Sequence, residues 1–124
     1  MTVQELYAAI GGDYDSAKRV LQMDMLIGIF VVTLLDDQSC QRLLAAADAG
    51  DAAGIFEGAH AMKGVCTNLG LNSLSQAASA IAEEFRPGNG RTMDQAELEA
   101  RVRDLKAQYD RTVEGIRAFA AEEG

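Results

Sequence analysis

His60 and the residues one helical turn beyond it are the part of the sequence best suited to chemistry. A neutral imidazole is a nucleophile, and it needs no general base to attack in that form. Lys63 lies on the same helical face, where its charge would attract an anionic group such as a phosphoryl group. Gly64 carries no side chain, which would leave room for a partner to approach. These three residues predict group transfer through a single exposed imidazole.

Other features of this face allow two interpretations. Phe56 and Thr67 could border a docking surface, although Phe56 could instead turn into the core. Gly64 could serve close packing between helices, because a glycine inside a helix costs about 1 kcal/mol relative to alanine and needs a reason. For these positions, the docking and packing interpretations predict different surroundings in the folded chain.

The element that presents His60 is predicted to be a helix over residues 51–69. Asp51 is a suitable N-cap, and Gly70 can adopt the left-handed conformation that ends helices. Spacings of three and four residues place one apolar stripe on this helix, formed by Ile55, Ala59, Met62, Cys66 and Leu69. His60 lies beside this stripe, which predicts an exposed side chain. Cys66 lies on the stripe, so we interpret it as a small buried hydrophobe rather than a redox sensor.

The rest of the chain also has helical periodicity, and no segment alternates convincingly with period two. Capping-box patterns begin a short first helix at Thr2 and a long last helix at Thr92. The apolar segment at residues 24–35 is typical of a central helix covered by neighbours or by a partner, and it could be wholly internal or leave an exposed strip. The clearest loop, residues 87–90, follows a predicted helix over residues 73–86. We therefore predict an all-α fold, an antiparallel four-helix bundle with short additional N-terminal helices.

Composition limits both the partners and the kinds of site. The 124 residues suggest one domain spanning residues 1–124. The formal net charge of -8 makes nucleic acids and anionic membranes poor partners. One histidine and two cysteines, Cys40 and Cys66, argue against a zinc site or a disulfide framework and favour a reduced, cytoplasmic setting. The longest apolar run, residues 25–35, is shorter than the roughly 20 residues that span a bilayer.

The sequence around His60 resembles the signature of histidine-containing phosphotransfer (HPt) domains. Residues 59–64 read A-H-A-M-K-G, and L-G follows at residues 69–70. The resemblance extends over about residues 13–86. It implies a four-helix bundle whose exposed His60 accepts a phosphoryl group from the phospho-aspartate of a response-regulator receiver domain and passes it to another receiver. The expected partners are therefore receiver domains, a hybrid sensor histidine kinase, or both.

The resemblance implies a phosphocarrier rather than an enzyme, and the sequence contains no glycine-rich ATP-binding motif. The chain is expected to hold no cofactor, and Mg²⁺ is expected in the partner receiver. Several family members carry a glutamine that faces the active histidine, whereas the aligned positions here are Ser79 and Ala82. Ser79 could reach toward the phosphoryl group or be an ordinary exposed serine. A monomer is expected, because the family's bundle is usually self-sufficient.

Two other functions stay open on the sequence alone. The chain could bind a receiver without phosphotransfer and so titrate it, or it could be a histidine-bearing fragment that a chemotaxis-type kinase phosphorylates directly. The presence of both His60 and Lys63 argues against a pure binder, which would be free to lose the histidine. The expected site thus has His60 as phosphoacceptor. The residues expected to bind the phosphoryl group or the partner are Lys63, Gly64, Phe56, Thr67 and Ser79.

Overall fold

The structure is a computed structural model that describes residues 1–123 and the side chains of residues 1–122. Over these residues the chain forms seven α-helices, one 3-10 helix and no strand, so the predicted all-α fold is confirmed. The α-helices are α1 (Val3–Ile10), α2 (Tyr14–Leu21), α3 (Asp24–Val32), α4 (Ser39–Ala49), α5 (Ala52–Asn68), α6 (Asn72–Glu84) and α7 (Gln95–Glu123), and the 3-10 helix Thr33–Asp36 follows α3.

Four helices close into a bundle. The helix α5 packs against α4 and α6, and α7 packs against the same two helices from the opposite side. The apolar stripe predicted on α5 is buried from Ile55 to Leu69, and it belongs to one core cluster with buried side chains of other helices, such as Leu43, Ile81 and Leu105. Burial of each leucine, isoleucine or methionine side chain in this cluster stabilises the fold by roughly 1.5–3 kcal/mol relative to leaving it exposed.

Local sequence signals set most of the helix ends. Thr2 and Glu5 form the predicted capping box, in which the Glu5 N–H donates to Thr2 Oγ1 at 3.0 Å and the Thr2 N–H donates to Glu5 Oε1 at 2.7 Å. Asp51 caps α5 by accepting from the Gly54 N–H at 3.1 Å. Gly70 has a φ of 70°, which is the left-handed conformation predicted for it at the end of α5.

The predicted capping box at Thr92 is wrong. The helix α7 begins three residues later, where Asp94 accepts a hydrogen bond from the Glu97 N–H at 2.8 Å. Thr92 instead donates through both its N–H and its hydroxyl to the carboxylate of Glu84, each at 2.9 Å. Glu84 at the end of α6 therefore accepts the hydrogen bonds of the threonine that the local pattern assigns to the start of α7.

The apolar segment at residues 24–35 is shorter and less covered than a central helix. The α-helix ends at Val32 and continues as a single 3-10 turn. Ile27 and Val31 are buried, but Met25, Ile29 and Phe30 are exposed to 65%, 55% and 44%. Of the two alternatives that the sequence allows, the structure has the exposed strip. Among the described residues, no helix combines the length and apolar character needed to cross a membrane.

The two N-terminal helices hold the turn that follows α5. The hydroxyl of Tyr7 on α1 donates to the Leu69 carbonyl at 2.5 Å, and the Asp13 N–H donates to the Gly70 carbonyl at 2.8 Å. A side chain at position 70 would place its Cβ only 2.6 Å from the Asp13 carbonyl oxygen. The end of α5, and with it the start of α6, is therefore fixed from outside the four-helix bundle.

Both cysteines are free and buried. Burial raises the pKa of the Cys40 thiol to about 11 and that of Cys66 to about 12. A thiol with so high a pKa stays protonated and is a poor nucleophile near neutral pH. The two side chains thus behave as small core hydrophobes in the folded chain.

Candidate functional site

His60 lies on the solvent-facing side of α5 and is exposed, as its position beside the apolar stripe predicts. The opposite side of the helix is held close to α4. Gly58 permits this approach, because a Cβ at that position would lie 2.8 Å from the Leu43 backbone nitrogen. Close packing on one side of α5 thus fixes the helix that presents His60 on the other.

The ring of Phe56 stacks on the imidazole of His60 from one turn earlier in α5. Their centroids are 5.4 Å apart and their planes differ by 18°. Phe56 is half-buried and packs against the core, and its predicted place at the border of a docking surface stays a prediction. The guanidinium carbon of Arg86 lies 5.5 Å from the centroid of the same phenyl ring. Phe56 therefore contacts His60 and a cation from the end of α6.

Glu83 holds that cation. The Arg86 guanidinium donates to both carboxylate oxygens of Glu83, with Nε 3.1 Å from Oε2 and Nη2 2.7 Å from Oε1. The pKa of Glu83 is lowered mainly by these hydrogen bonds and further by the charges of Arg86, Lys63 and His60. Glu83 is thus an anionic group within electrostatic reach of the predicted phosphoacceptor.

The Thr67 side chain is exposed, and its hydroxyl is hydrogen-bonded within the chain. Its hydroxyl donates to the Lys63 carbonyl at 2.8 Å, and its oxygen lies 2.6 Å from Ser75 Oγ on α6. Ser75 Oγ also lies 3.4 Å from the Lys63 carbonyl oxygen. These contacts join α5 to α6 at the turn that carries Lys63, which points to a structural role for the Thr67 hydroxyl.

The surroundings of Gly64 argue against the packing interpretation of this residue. A Cβ at this position would meet no atom within 4 Å. Close packing therefore does not explain the glycine, and open space lies beside it on the exposed surface one turn after His60. Lys63 is half-buried on the same face. The structure thus brings His60, Lys63 and Gly64 together on one accessible surface.

The family of the chain follows from comparison with known proteins. A family model described as "Hpt domain" matches residues 26–115, which is more than half of the chain. The chain belongs to this Hpt domain family. Hpt domains carry out histidine phosphotransfer in phosphorelays, act as phosphocarriers without an ATP site of their own, and generally interact with receiver domains and kinases. Comparisons with curated proteins and with solved structures find no match.

The matched segment of this Hpt domain contains the whole four-helix bundle except the end of α7, and it leaves out α1 and α2. It therefore extends further toward the C-terminus than the resemblance over about residues 13–86. The turn after α5 is held by contacts from Tyr7 and Asp13, which both precede the match. These contacts are features of this chain outside the part that the family model describes.

Three residues in or beside the candidate site were not predicted from the sequence: the buried Ser75 and the exposed Glu83 and Arg86. The spacing of Glu83 and Arg86 indicates an ion pair within one helix, but only the packing of α6 on α5 places that pair beside Phe56. Ser79 lies on α6 one turn from both Ser75 and Glu83 and is half-buried. No hydrogen bond of Ser79 occurs among the described residues, so its predicted contact with a phosphoryl group stays a prediction.

Proposed function

We propose that this Hpt domain accepts a phosphoryl group on His60 from the phospho-aspartate of one receiver domain and passes it to the aspartate of another. The observation that carries the proposal is the combination of an exposed imidazole, a lysine on the same face and open space above Gly64. A receiver would have to bring its phospho-aspartate to within attack distance of the imidazole, and Gly64 puts no side chain in the way.

The transfer needs little covalent machinery. A ring nitrogen of neutral His60 attacks the phosphorus, a nitrogen–phosphorus bond forms, and the bond from phosphorus to the aspartate oxygen breaks. The aspartate leaves as a carboxylate with the bonding electron pair. Lys63 supplies positive charge for the phosphoryl oxygens from one turn away. Mg²⁺ held by the receiver would supply further positive charge for the phosphoryl oxygens, so we propose no cofactor for this chain.

The docking partner is a receiver, alone or within a hybrid sensor histidine kinase, and the complex is weak and short-lived because a carrier must release each partner quickly. We propose that the Hpt domain meets it as a monomer in the cytoplasm. The free, buried thiols of Cys40 and Cys66 fit a reducing compartment.

A relay with two receivers tests this function. A donor receiver is phosphorylated with a labelled small-molecule phosphodonor, freed of the donor compound, and mixed with an acceptor receiver. Substoichiometric Hpt domain should carry label from the first receiver to the second, and a chelator of Mg²⁺ should stop the flow. If the domain binds the donor receiver and no label reaches either His60 or the acceptor, the chain is a module that titrates a receiver. If label appears on His60 only with a chemotaxis-type kinase, the direct-phosphorylation alternative is right.

A further inference from the structure

The ring of Phe56 can restrict the orientation of the exposed His60 imidazole. Phe56 stacks on it with the ring centroids 5.4 Å apart and the planes within 18° of parallel. Phe56 is itself half-buried and packs against the core, so its ring is less free to turn than an exposed one. The stack therefore joins a solvent-exposed nucleophile to a fixed part of the fold.

The phenyl ring is held from the neighbouring helix as well. The Arg86 guanidinium carbon lies 5.5 Å from the Phe56 centroid, within the distance of a cation–π contact. Two hydrogen bonds to Glu83, at 3.1 and 2.7 Å, fix the guanidinium in turn. Contacts thus run without a break from the end of α6, through Arg86 and Phe56, to His60.

We infer that Phe56 is a positioning residue for phosphotransfer, which orients the His60 imidazole toward the incoming phosphorus, and that Arg86, tethered by Glu83, holds Phe56 in place. The inference rests on the proposed function. Transfer between two docked proteins depends on alignment of the attacking nitrogen with the breaking bond, and small misplacements lower the rate strongly. A stacked imidazole begins closer to that alignment than a freely rotating one.

Paired substitutions separate positioning from docking. Phe56→Leu keeps an apolar side chain and removes the stack on His60, whereas Phe56→Tyr keeps the aromatic ring and the stack. The single-turnover transfer rate is measured with phosphorylated receiver in excess. Phe56→Leu should lower the maximal rate about tenfold and leave the receiver concentration that gives half-maximal rate unchanged. The maximal rate of Phe56→Tyr should stay within about twofold of the parent rate. A change in the half-maximal concentration alone would make Phe56 a docking residue and overturn the inference.

The chain offers matched controls for both substitutions. Arg91 lies over the ring of Phe85, with its guanidinium carbon 4.7 Å from the centroid, in a contact of the same kind that does not involve His60. Arg86→Ala should slow transfer, and Arg86→Lys should restore part of the rate by keeping the cation. Arg91→Ala and Phe85→Leu should leave the maximal rate unchanged. Equal losses from Arg86→Ala and Arg91→Ala would show a general effect on the fold and overturn the role of Arg86.

A spectroscopic readout tests the orientation without any partner. The ring protons of His60 should resonate upfield in the parent and in Phe56→Tyr because the neighbouring aromatic face shields them, and this displacement should vanish in Phe56→Leu. Identical His60 ring signals in the parent and Phe56→Leu would overturn the inference. Failure of the proposed function has a different signature, since the parent protein itself would then take no label from a phosphorylated receiver.

Discussion

The hydroxyl oxygens of Thr67 and Ser75 lie 2.6 Å apart and join α5 to α6 beside the turn that carries Lys63. Both hydroxyls also lie within hydrogen-bond distance of the Lys63 carbonyl oxygen, and either hydroxyl can donate to the other. Ser75 is buried, so this contact also satisfies a polar group that would otherwise lose its hydrogen bond to water. The relationship gives the Thr67 hydroxyl a role in joining α5 to α6, and the prediction that Thr67 borders the docking surface stays a prediction.

Removing either hydroxyl should therefore cost stability. Thr67→Val should lower the free energy of unfolding by about 1 kcal/mol, since Ser75 then loses its short partner. The measurement is urea denaturation of Thr67→Val, Ser75→Ala and the double variant. Because the two hydroxyls share one contact, the double variant should lose less than the sum of the single losses. Strictly additive losses would contradict the coupling.

Gly64 and Gly58 should respond in opposite directions to alanine. Gly64→Ala should raise the free energy of unfolding by up to about 1 kcal/mol, because alanine favours helix and the added methyl group meets open space. Gly58→Ala should lower it, because the methyl group would lie 2.8 Å from the Leu43 backbone nitrogen. Thermal or urea unfolding of both variants gives the comparison. A destabilised Gly64→Ala would mean that packing explains this glycine after all.

A larger side chain at Gly64 tests the approach of the partner. Gly64→Gln should leave the bundle folded and weaken the binding of a receiver, because the side chain fills the space in front of the His60 face. Titration calorimetry or chemical-shift mapping with an unphosphorylated receiver measures the affinity. Unchanged affinity in Gly64→Gln would show that the receiver docks elsewhere.

Lys63 should affect transfer and leave the fold intact. Lys63→Ala should slow phosphotransfer about tenfold or more, since a positive group near the transferred phosphoryl is lost. Lys106→Ala is a matched control, because Lys106 forms an ion pair with Asp110 at 2.6 Å on α7, the helix across the bundle from α5. Single-turnover kinetics with a phosphorylated receiver distinguishes the two. Equal rates for Lys63→Ala and the parent would remove Lys63 from the site.

Alkaline conditions should destabilise the fold through the buried thiols. An unfolded thiol has a pKa of about 8.5, whereas burial raises the pKa of Cys66 to about 12. Above about pH 8.5 the unfolded chain thus binds fewer protons than the folded one, and each thiol lowers the free energy of unfolding by up to about 1.4 kcal/mol per pH unit. Urea denaturation between about pH 8 and pH 10.5 should give a shallower decline for Cys66→Ala than for the parent. Parallel declines would mean that Cys66 ionises equally in both states.

Much of the fold is predictable because its signals are local. The caps at Thr2 and Asp51 and the left-handed Gly70 each depend on residues within one turn, and all three are in the structure. Thr92 departs from its pattern because it donates its hydrogen bonds to Glu84, eight residues earlier and on the preceding helix. Residues whose roles depend on packing between elements are thus the ones that sequence patterns misassign.

Some residues of the candidate site are likewise predictable from local spacing, and others depend on packing between helices. The spacing of His60, Lys63 and Gly64 along one helix is enough to place them on one face. Glu83 lies on the next helix and Arg86 lies two residues beyond its end, and only the packing of α6 on α5 brings Arg86 to Phe56. Periodicity also does not predict that Met25 and Ile29 are exposed, because the pattern of apolar residues does not show whether a neighbouring helix covers them.

If His60 carries the phosphoryl group, the phosphate can be located on it after transfer from a phosphorylated receiver. We expect one phosphate per chain, stable in base and labile in acid, on the peptide that contains His60. His60→Gln should fold normally and gain none, and Lys63→Ala should gain the same phosphate more slowly. A parent protein that stays unlabelled, or a His60→Gln variant labelled as fully as the parent, would contradict the account.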